Sequence, residues 1–260
     1  MLTSNFYGSL LLNTFNGITA QGRSELWIGL FQTDPGPRGD GGIEITYEGY
    51  TRQPITFSVP YLENNNITII NDTDILWEKS PSNAGEVRYI GIFDSPVIGA
   101  GNMYLRAELT IPMNIRENHQ PSILQSDTQY EFLGNFTDEF KTRALNVLRG
   151  ITFAGMEPHL ALFSGDPQEG GAEMHWPSYE RVGIDFAQPS IQNEVVSLTN
   201  TNLLRFPTPT ITAGLKSYAA IMDSSTGGQP MTTYRFTIEE IIHPNYVPQV
   251  NIGDVFISLS

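Results

Sequence analysis

The chain states nearly the same sequence twice, about 130 residues apart. Gly17-Ile18-Thr19 returns as Gly150-Ile151-Thr152, and Leu30-Phe31 with Asp34-Pro35 returns as Leu162-Phe163 with Asp166-Pro167. Tyr50-Thr51-Arg52, followed by Ile55-Thr56-Phe57, returns as Tyr179-Glu180-Arg181, followed by Ile184-Asp185-Phe186. Tyr89 to Ser95 returns as Tyr218 to Ser224. The order is kept and the offset drifts only from 133 to about 127, so few insertions separate the copies. Repeats of roughly 20 to 50 residues build solenoids or propellers, because one unit cannot bury its own core. A period near 130 is instead the size of a whole domain. The 260 residues are therefore expected to fold as two similar, separately cored domains, 1–134 and 135–260. The junction at Gly134-Asn135 has no flexible linker, so the two are expected to pack against each other.

Each copy opens on apolar residues spaced by three and four: Phe6, Leu10, Leu11, Phe15 and Ile18, then Phe140, Ala144, Leu145, Leu148 and Ile151. Gly17 and Gly150 stand where a helix C-terminal cap belongs, and Thr137 with Asp138 and Glu139 forms an N-terminal cap with acids in the first turn. One short helix per copy is predicted. The period then changes to two. Strands are predicted at 25–31 and 158–163, 50–57 and 179–186, 67–70 and 194–198, 87–93 and 217–222, 103–111 and 234–241, and 128–133 and 254–259. Asp-Pro ends the first strand of each copy, and a glycine-rich loop follows. Short strands with frequent turn signals predict a mainly β chain: two antiparallel β-sandwiches, each with one short N-terminal α-helix.

A formal net charge of -14, with lysine only at 79, 141 and 216, opposes nucleic-acid binding, which draws its affinity from Lys and Arg on phosphates. An anionic membrane surface is disfavoured for the same reason, and no apolar run approaches the 18 or so residues that span a bilayer. Cysteine is absent, which removes disulfides, thiolate nucleophiles and cysteine metal sites. Met1 to Asn5 lacks the basic segment of a signal peptide, so the chain is expected to be made in a cytoplasm and left unprocessed.

Few groups suggest chemistry. Tyr50 and Arg52, like Tyr179 and Arg181, fall on one face of a strand. Such pairs suit a subunit or ligand contact; the alternative, favoured by their recurrence, is that each Arg pairs with an acid of its own domain. Asp34, Asp166, Asp94 and Asp223 read as turn residues. Asn71-Asp72-Thr73-Asp74 offers oxygens to calcium but lacks the loop length of a calcium-binding hand, and a polar turn is preferred. His119, His159, His175 and His243 show no metal-ligand spacing. No nucleophile elbow, phosphate loop or dinucleotide fingerprint is present. The reading is of no catalytic residue, no cofactor and no metal.

Each copy resembles a small domain of tailed bacteriophages labelled a tail-fibre or virion structural protein. The resemblance rests on a strand ending Leu30-Phe31-Gln32-Thr33-Asp34-Pro35, a segment Gly49-Tyr50-Thr51-Arg52-Gln53-Pro54-Ile55-Thr56-Phe57, an Asn-containing strand, and Tyr89-Ile90-Gly91-Ile92-Phe93-Asp94. The second copy follows with Leu162-Phe163-Ser164-Gly165-Asp166-Pro167 but departs at Ser178, Val182 and Met222. The resemblance implies a non-enzymatic virion protein of the tail, baseplate or fibre region, partnered by other virion proteins and copies of itself. A head-decoration role stays open, as does a carbohydrate-binding module for the host surface. Candidate contacts are Tyr50, Arg52, Tyr179, Arg181 and the loop glycines Gly39 and Gly41. Trp77 and Trp176, near turns, are the candidate glycan-stacking residues.

Overall fold

The computed structural model describes residues 1–132 and 134–259; Leu133, the expected end of one strand, and Ser260 lie outside the described residues. The first half contains β1 (Leu2–Thr3), α1 (Asn5–Leu12), β2 (Leu26–Phe31), β3 (Gln53–Ile55), β4 (Tyr61–Glu63), β5 (Asn66–Ile70), β6 (Ile75–Leu76), β7 (Gly85–Phe93), β8 (Met103–Ile115), β9 (Ser122–Ile123) and β10 (Gln129–Glu131). The second contains α2 (Asp138–Val147), β11 (His159–Phe163), β12 (Val182–Gly183), β13 (Ser190–Gln192), β14 (Val195–Thr199), β15 (Leu204–Arg205), β16 (Gly214–Met222), β17 (Pro230–Ile242), β18 (Gln249–Val250) and β19 (Phe256–Leu259).

The halves share one topology. The larger sheet runs β1-β8-β7-β2-β3 in the first and β17-β16-β11-β12 in the second; the smaller runs β10-β5-β4 and β19-β14-β13; and β6 pairs β9 as β15 pairs β18. All the pairings are antiparallel. Among the described residues the second half has no counterpart of β1; a single bridge from Phe136 to Thr232 takes its place. The chain is thus mainly β, as the alternation predicts. Strands 50–57 and 179–186 prove shorter than their pattern, at Gln53–Ile55 and Val182–Gly183. The hairpins β4-β5 and β13-β14 were not foreseen: they turn on Asn64-Asn65 and Asn193-Glu194, all with positive φ, a conformation in which Asn is among the better-tolerated residues.

The helices explain how the halves join. Ser4 caps α1 by accepting from Tyr7 N (3.1 Å) and also bonds the Met103 carbonyl; Thr137 caps α2 by accepting from Phe140 N (3.3 Å) and bonds Pro230 O (2.6 Å). Each cap therefore ties its helix to the first residue of the long strand in its own half. Each helix body then packs on the small sheet of the other half, α1 on β14 and α2 on β5. Tyr7 donates to Ala144 O across the gap (2.6 Å), and Phe15 stacks on Phe140 at 5.5 Å. The two cores are not separately closed: a cluster of buried apolar residues drawn from both halves runs through the two helices, while Phe31, Phe93 and Met103 in one half and Ala161, Phe163, Ala220 and Met222 in the other form smaller clusters of their own.

The seam is reciprocal. Ala20 and Phe153 exchange two backbone hydrogen bonds (2.8 and 2.9 Å), Arg23 N donates to Val147 O (2.9 Å), and Met156 N donates to Thr14 O (2.8 Å). Gly22 lies against Gly150 and Gly155 against Gly17, so closely that an added Cβ would stand 2.2 and 2.0 Å from the facing backbone. Residue i meets j while the equivalent of j meets the equivalent of i, the signature of an isologous two-fold contact. One chain has the internal organisation of a symmetric dimer.

Candidate functional site

The residues repeated most faithfully meet at one end of each large sheet. In the first half Arg52 is buried and bidentate to Glu44, with Nε to Oε1 at 2.9 Å and Nη2 to Oε2 at 2.8 Å. Its Nη1 donates to Ser95 O (3.1 Å) and Ala100 O (2.9 Å), and its guanidinium lies 3.7 Å from the centre of the Phe93 ring. The Tyr50 hydroxyl accepts from Leu30 N (2.9 Å) and donates to Glu44 Oε1 (3.2 Å). Planar, five-donor Arg suits this fork and stack as Lys cannot. The second half repeats the knot with Arg181, Glu173 and Tyr179. There Arg181 Nη1 holds Ser224 O (2.9 Å) and Gly227 O (2.6 Å).

Each knot staples the loop that follows the GIFD-type strand. Asp94 Oδ1 accepts from Asn102 N (2.6 Å) and Asp223 Oδ1 from Gln229 N (2.8 Å), closing the same loops from below. Burial drives both tyrosines well above the ordinary phenol range, and the adjacent carboxylates of Glu44 and Glu173 push the same way, so both stay protonated. Bonding to Glu173 raises Arg181 further. Tyr50, Arg52, Tyr179 and Arg181 are thus tied to acids and carbonyls of their own half. Gly39 packs on Met103, and Gly41 N donates to Pro35 O (3.0 Å), which shapes the glycine-rich loop from within; Gly41 remains exposed.

The copies differ around the knot. The first encloses it, leaving the side chains of Arg52 and Glu44 2% and 8% exposed; the second leaves Arg181 and Glu173 9% and 27% exposed. The loop Ser95 to Gly101 is two residues longer than Ser224 to Gly228 and carries the exposed Val97 and Ile98, where the second copy has Ser225 and Thr226. A cleft of about 650 Å³ consequently opens beside Arg181, lined by His159, His175, Glu180 and Thr226. Met222, which breaks the GIFD pattern, also has a packing reason. In the first half Phe31 and Phe93 stack at 5.9 Å over Gly29 and Gly91. In the second, Ala161 and Ala220 fill that space and Met222 replaces the ring.

Trp77 and Trp176 are corrected by the structure. Both are core residues, 1% and 0% exposed, packed within the main apolar cluster. Neither presents a face for stacking on a glycan. They occupy exchanged positions: Tyr47 and Trp77 in one half stand where Trp176 and Phe206 stand in the other, with Tyr47 beside Tyr50 at 5.4 Å and Trp176 and Phe206 beside Tyr179 at 4.6 and 6.0 Å.

A second repeated feature escaped the sequence reading. Asn71 is fully buried and accepts from Thr128 N and Oγ1 (both 2.9 Å) while donating to Thr73 O (3.0 Å) and Leu124 O (2.8 Å). Asn200 does the same with Val255 N, Asn202 O and Asn251 O. The signal was the Asn that follows each β5-type strand. Asp72 and Asp74 beside it serve the turn, accepting from Thr56 and from Gln125 N. Asp34 and Asp166 likewise accept from amides two residues on, at 2.8 and 2.9 Å. His159 Nδ1 lies 2.7 Å from Glu157 O. Among the described residues no group of three or more His, Asp or Glu is arranged to hold a metal, and no helix is long and apolar enough to cross a membrane.

A family model described as podophage GP4 fiber I protein gp80 matches the chain twice, over residues 3–131 and 135–258. No curated protein matches it.

Proposed function

The chain belongs to the podophage GP4 fiber I protein gp80 family, and from that membership we propose that it is a non-enzymatic structural protein of a tailed-phage particle, seated in the tail or baseplate region. It works there by shape-complementary contacts with other virion proteins, several copies being held in one assembly. The observation that carries this reading is the use made of the repeated polar residues: Arg52, Glu44 and Tyr50, and Arg181, Glu173 and Tyr179, are bonded to one another and to their own loops, so what the duplication preserved is a rigid scaffold. Two joined copies present paired surfaces on one chain, which raises avidity through effective concentration.

Immunogold labelling and reconstruction of intact particles test the assignment. Label is expected at the tail end; label confined to the head would replace this reading with decoration of the capsid. Digestion of host capsule or cell wall by the purified protein would overturn the non-enzymatic part.

A further inference from the structure

Among the described residues, the two most exposed large apolar side chains are the same residue at the same place in each half. Ile111 is 81% and Ile238 79% exposed, on equivalent long strands β8 and β17. Both sit on a break in register. Val87 pairs Met113 and Tyr89 pairs Glu108, so Leu109 to Pro112 bulge opposite Arg88 alone. Lys216 pairs Glu240 and Tyr218 pairs Arg235, so Phe236 to Glu239 bulge opposite Ser217 alone.

Each bulge is built rather than loose. Leu109 and Phe236, two residues before the isoleucines, turn inward and pack against the core. In the second half Lys216 clamps the base, 3.0 Å from Glu240 and over the faces of Phe236 and Tyr246. Thr110-Ile111 and Thr237-Ile238 recur, while their flanks have diverged from Glu108 to Arg235 and from Pro112 to Glu239.

A bulge on an edge strand ordinarily protects the edge from pairing with another chain. These are edge strands: among the described residues the outer side of β8 is bonded only near its start, by Ser4 at Met103 and Tyr104 and by β1 at Leu105 and Arg106, and that of β17 likewise, by Asn135 to Thr137 at Pro230 to Thr233, so no strand pairs the bulges on that side. Protection, however, is served by a charged or polar tip, and both tips are isoleucine. A single exposed apolar residue needs no explanation; the same one on two anchored projections, in halves that differ around it, does.

We infer that Ile111 and Ile238 are paired docking knobs that seat in two equivalent apolar sockets on a different, cationic virion protein. Charge selects that occupant over a second copy, since each chain carries -14 and two would repel. The isologous seam places the knobs in two-fold relation, so the sockets belong to two like subunits or a repeated motif of that partner. The inference rests on the fibre-protein reading for its setting.

The test complements a phage lacking this gene with wild-type protein, I111D, I238D or the double variant, and blots purified particles. Exposed positions leave folding intact, which circular dichroism and an unchanged thermal midpoint verify. Wild-type protein is expected in the particle, each single variant at reduced occupancy, and the double variant at a tenth of wild type or less. Absence of wild-type protein from particles overturns the fibre reading and the inference with it. Wild-type and double variant joining equally overturns the knobs alone. Two further measurements address the partner. Reattachment of wild-type protein to deficient particles should slow several-fold between about 0.05 and about 0.5 M salt, as screening predicts, and an unchanged rate removes the cationic partner. Sedimentation should show a monomer; a dimer lost in the double variant would make a second copy the occupant and overturn the choice made here.

Discussion

Arg106 of the first half donates to Glu194 of the second at 3.2 Å while also holding Asp34, and among the described residues no equivalent bond exists on the other side of the seam. The equivalent positions, Thr233, Asn65 and Asp166, instead line a cleft of about 590 Å³. The pseudo-symmetric contact is latched on one side only. Glu194 is 64% exposed at its side chain, so Glu194→Gln is expected to cost less than about 1 kcal/mol, an effect that fades with salt in thermal melts.

The other arm of the latch sets an acid response. Burial raises the Asp34 carboxyl, but the bonds from Arg106 and from Gly36 N outweigh it and leave the group below the ordinary carboxylate range. A depressed folded value stabilises above the unfolded pKa of about 4 and is lost as pH falls through the folded value. Arg106→Leu should therefore flatten the fall of the melting midpoint below about pH 4; an unchanged acid profile would refute the assignment.

The two knots predict unequal costs. Arg52→Ala strands Glu44 in the core with Tyr50 as its remaining partner, and a loss of about 3–5 kcal/mol is expected. Arg181→Ala should cost distinctly less, since Glu173 already reaches solvent. Urea titrations of the two variants decide the order.

Asn71→Ala removes four hydrogen bonds at once from a fully buried site and leaves amide, hydroxyl and carbonyl groups without partners. A loss of about 2–4 kcal/mol is expected by chemical denaturation. Asn71→Asp keeps the acceptor but buries a carboxylate whose second oxygen faces the Thr73 and Leu124 carbonyls, so it should cost at least as much as Ala at neutral pH and recover as acid protonates it.

Alkali should unfold the protein in one step. Tyr234 is pushed up to about 12, and Tyr7, Tyr50, Tyr130 and Tyr179 are raised further or comparably, in each case chiefly by burial. Raised phenols contribute fully below their unfolded pKa of about 10, and that contribution is lost as pH rises through the folded values. The phenolate absorbance of these buried tyrosines should appear together with loss of the circular-dichroism signal above about pH 10.

Periodicity made the helices, the principal strands and the shared topology legible, because side chains facing a core repeat at intervals that local geometry imposes. The cap at Thr137 could be read from the acids after it, while Ser4, lacking them, went unread. The knot tyrosines and arginines were visible as a repeated pair, but their partners Glu44 and Glu173 lie eight residues before each Arg, across a turn that no period spans. Trp77 and Trp176 misled because proximity to turns says nothing of which way a turn folds. The exchange of helices was hidden for a different reason: an apolar stripe records that a helix is buried and not which sheet covers it.

That exchange bears on how such a chain can change over generations. Each helix walls the core of the opposite half, so a deletion restoring a single copy would leave a sandwich with an open side. The seam is built from the same positions of each half, and the halves part company away from it, at the loops after Asp94 and Asp223.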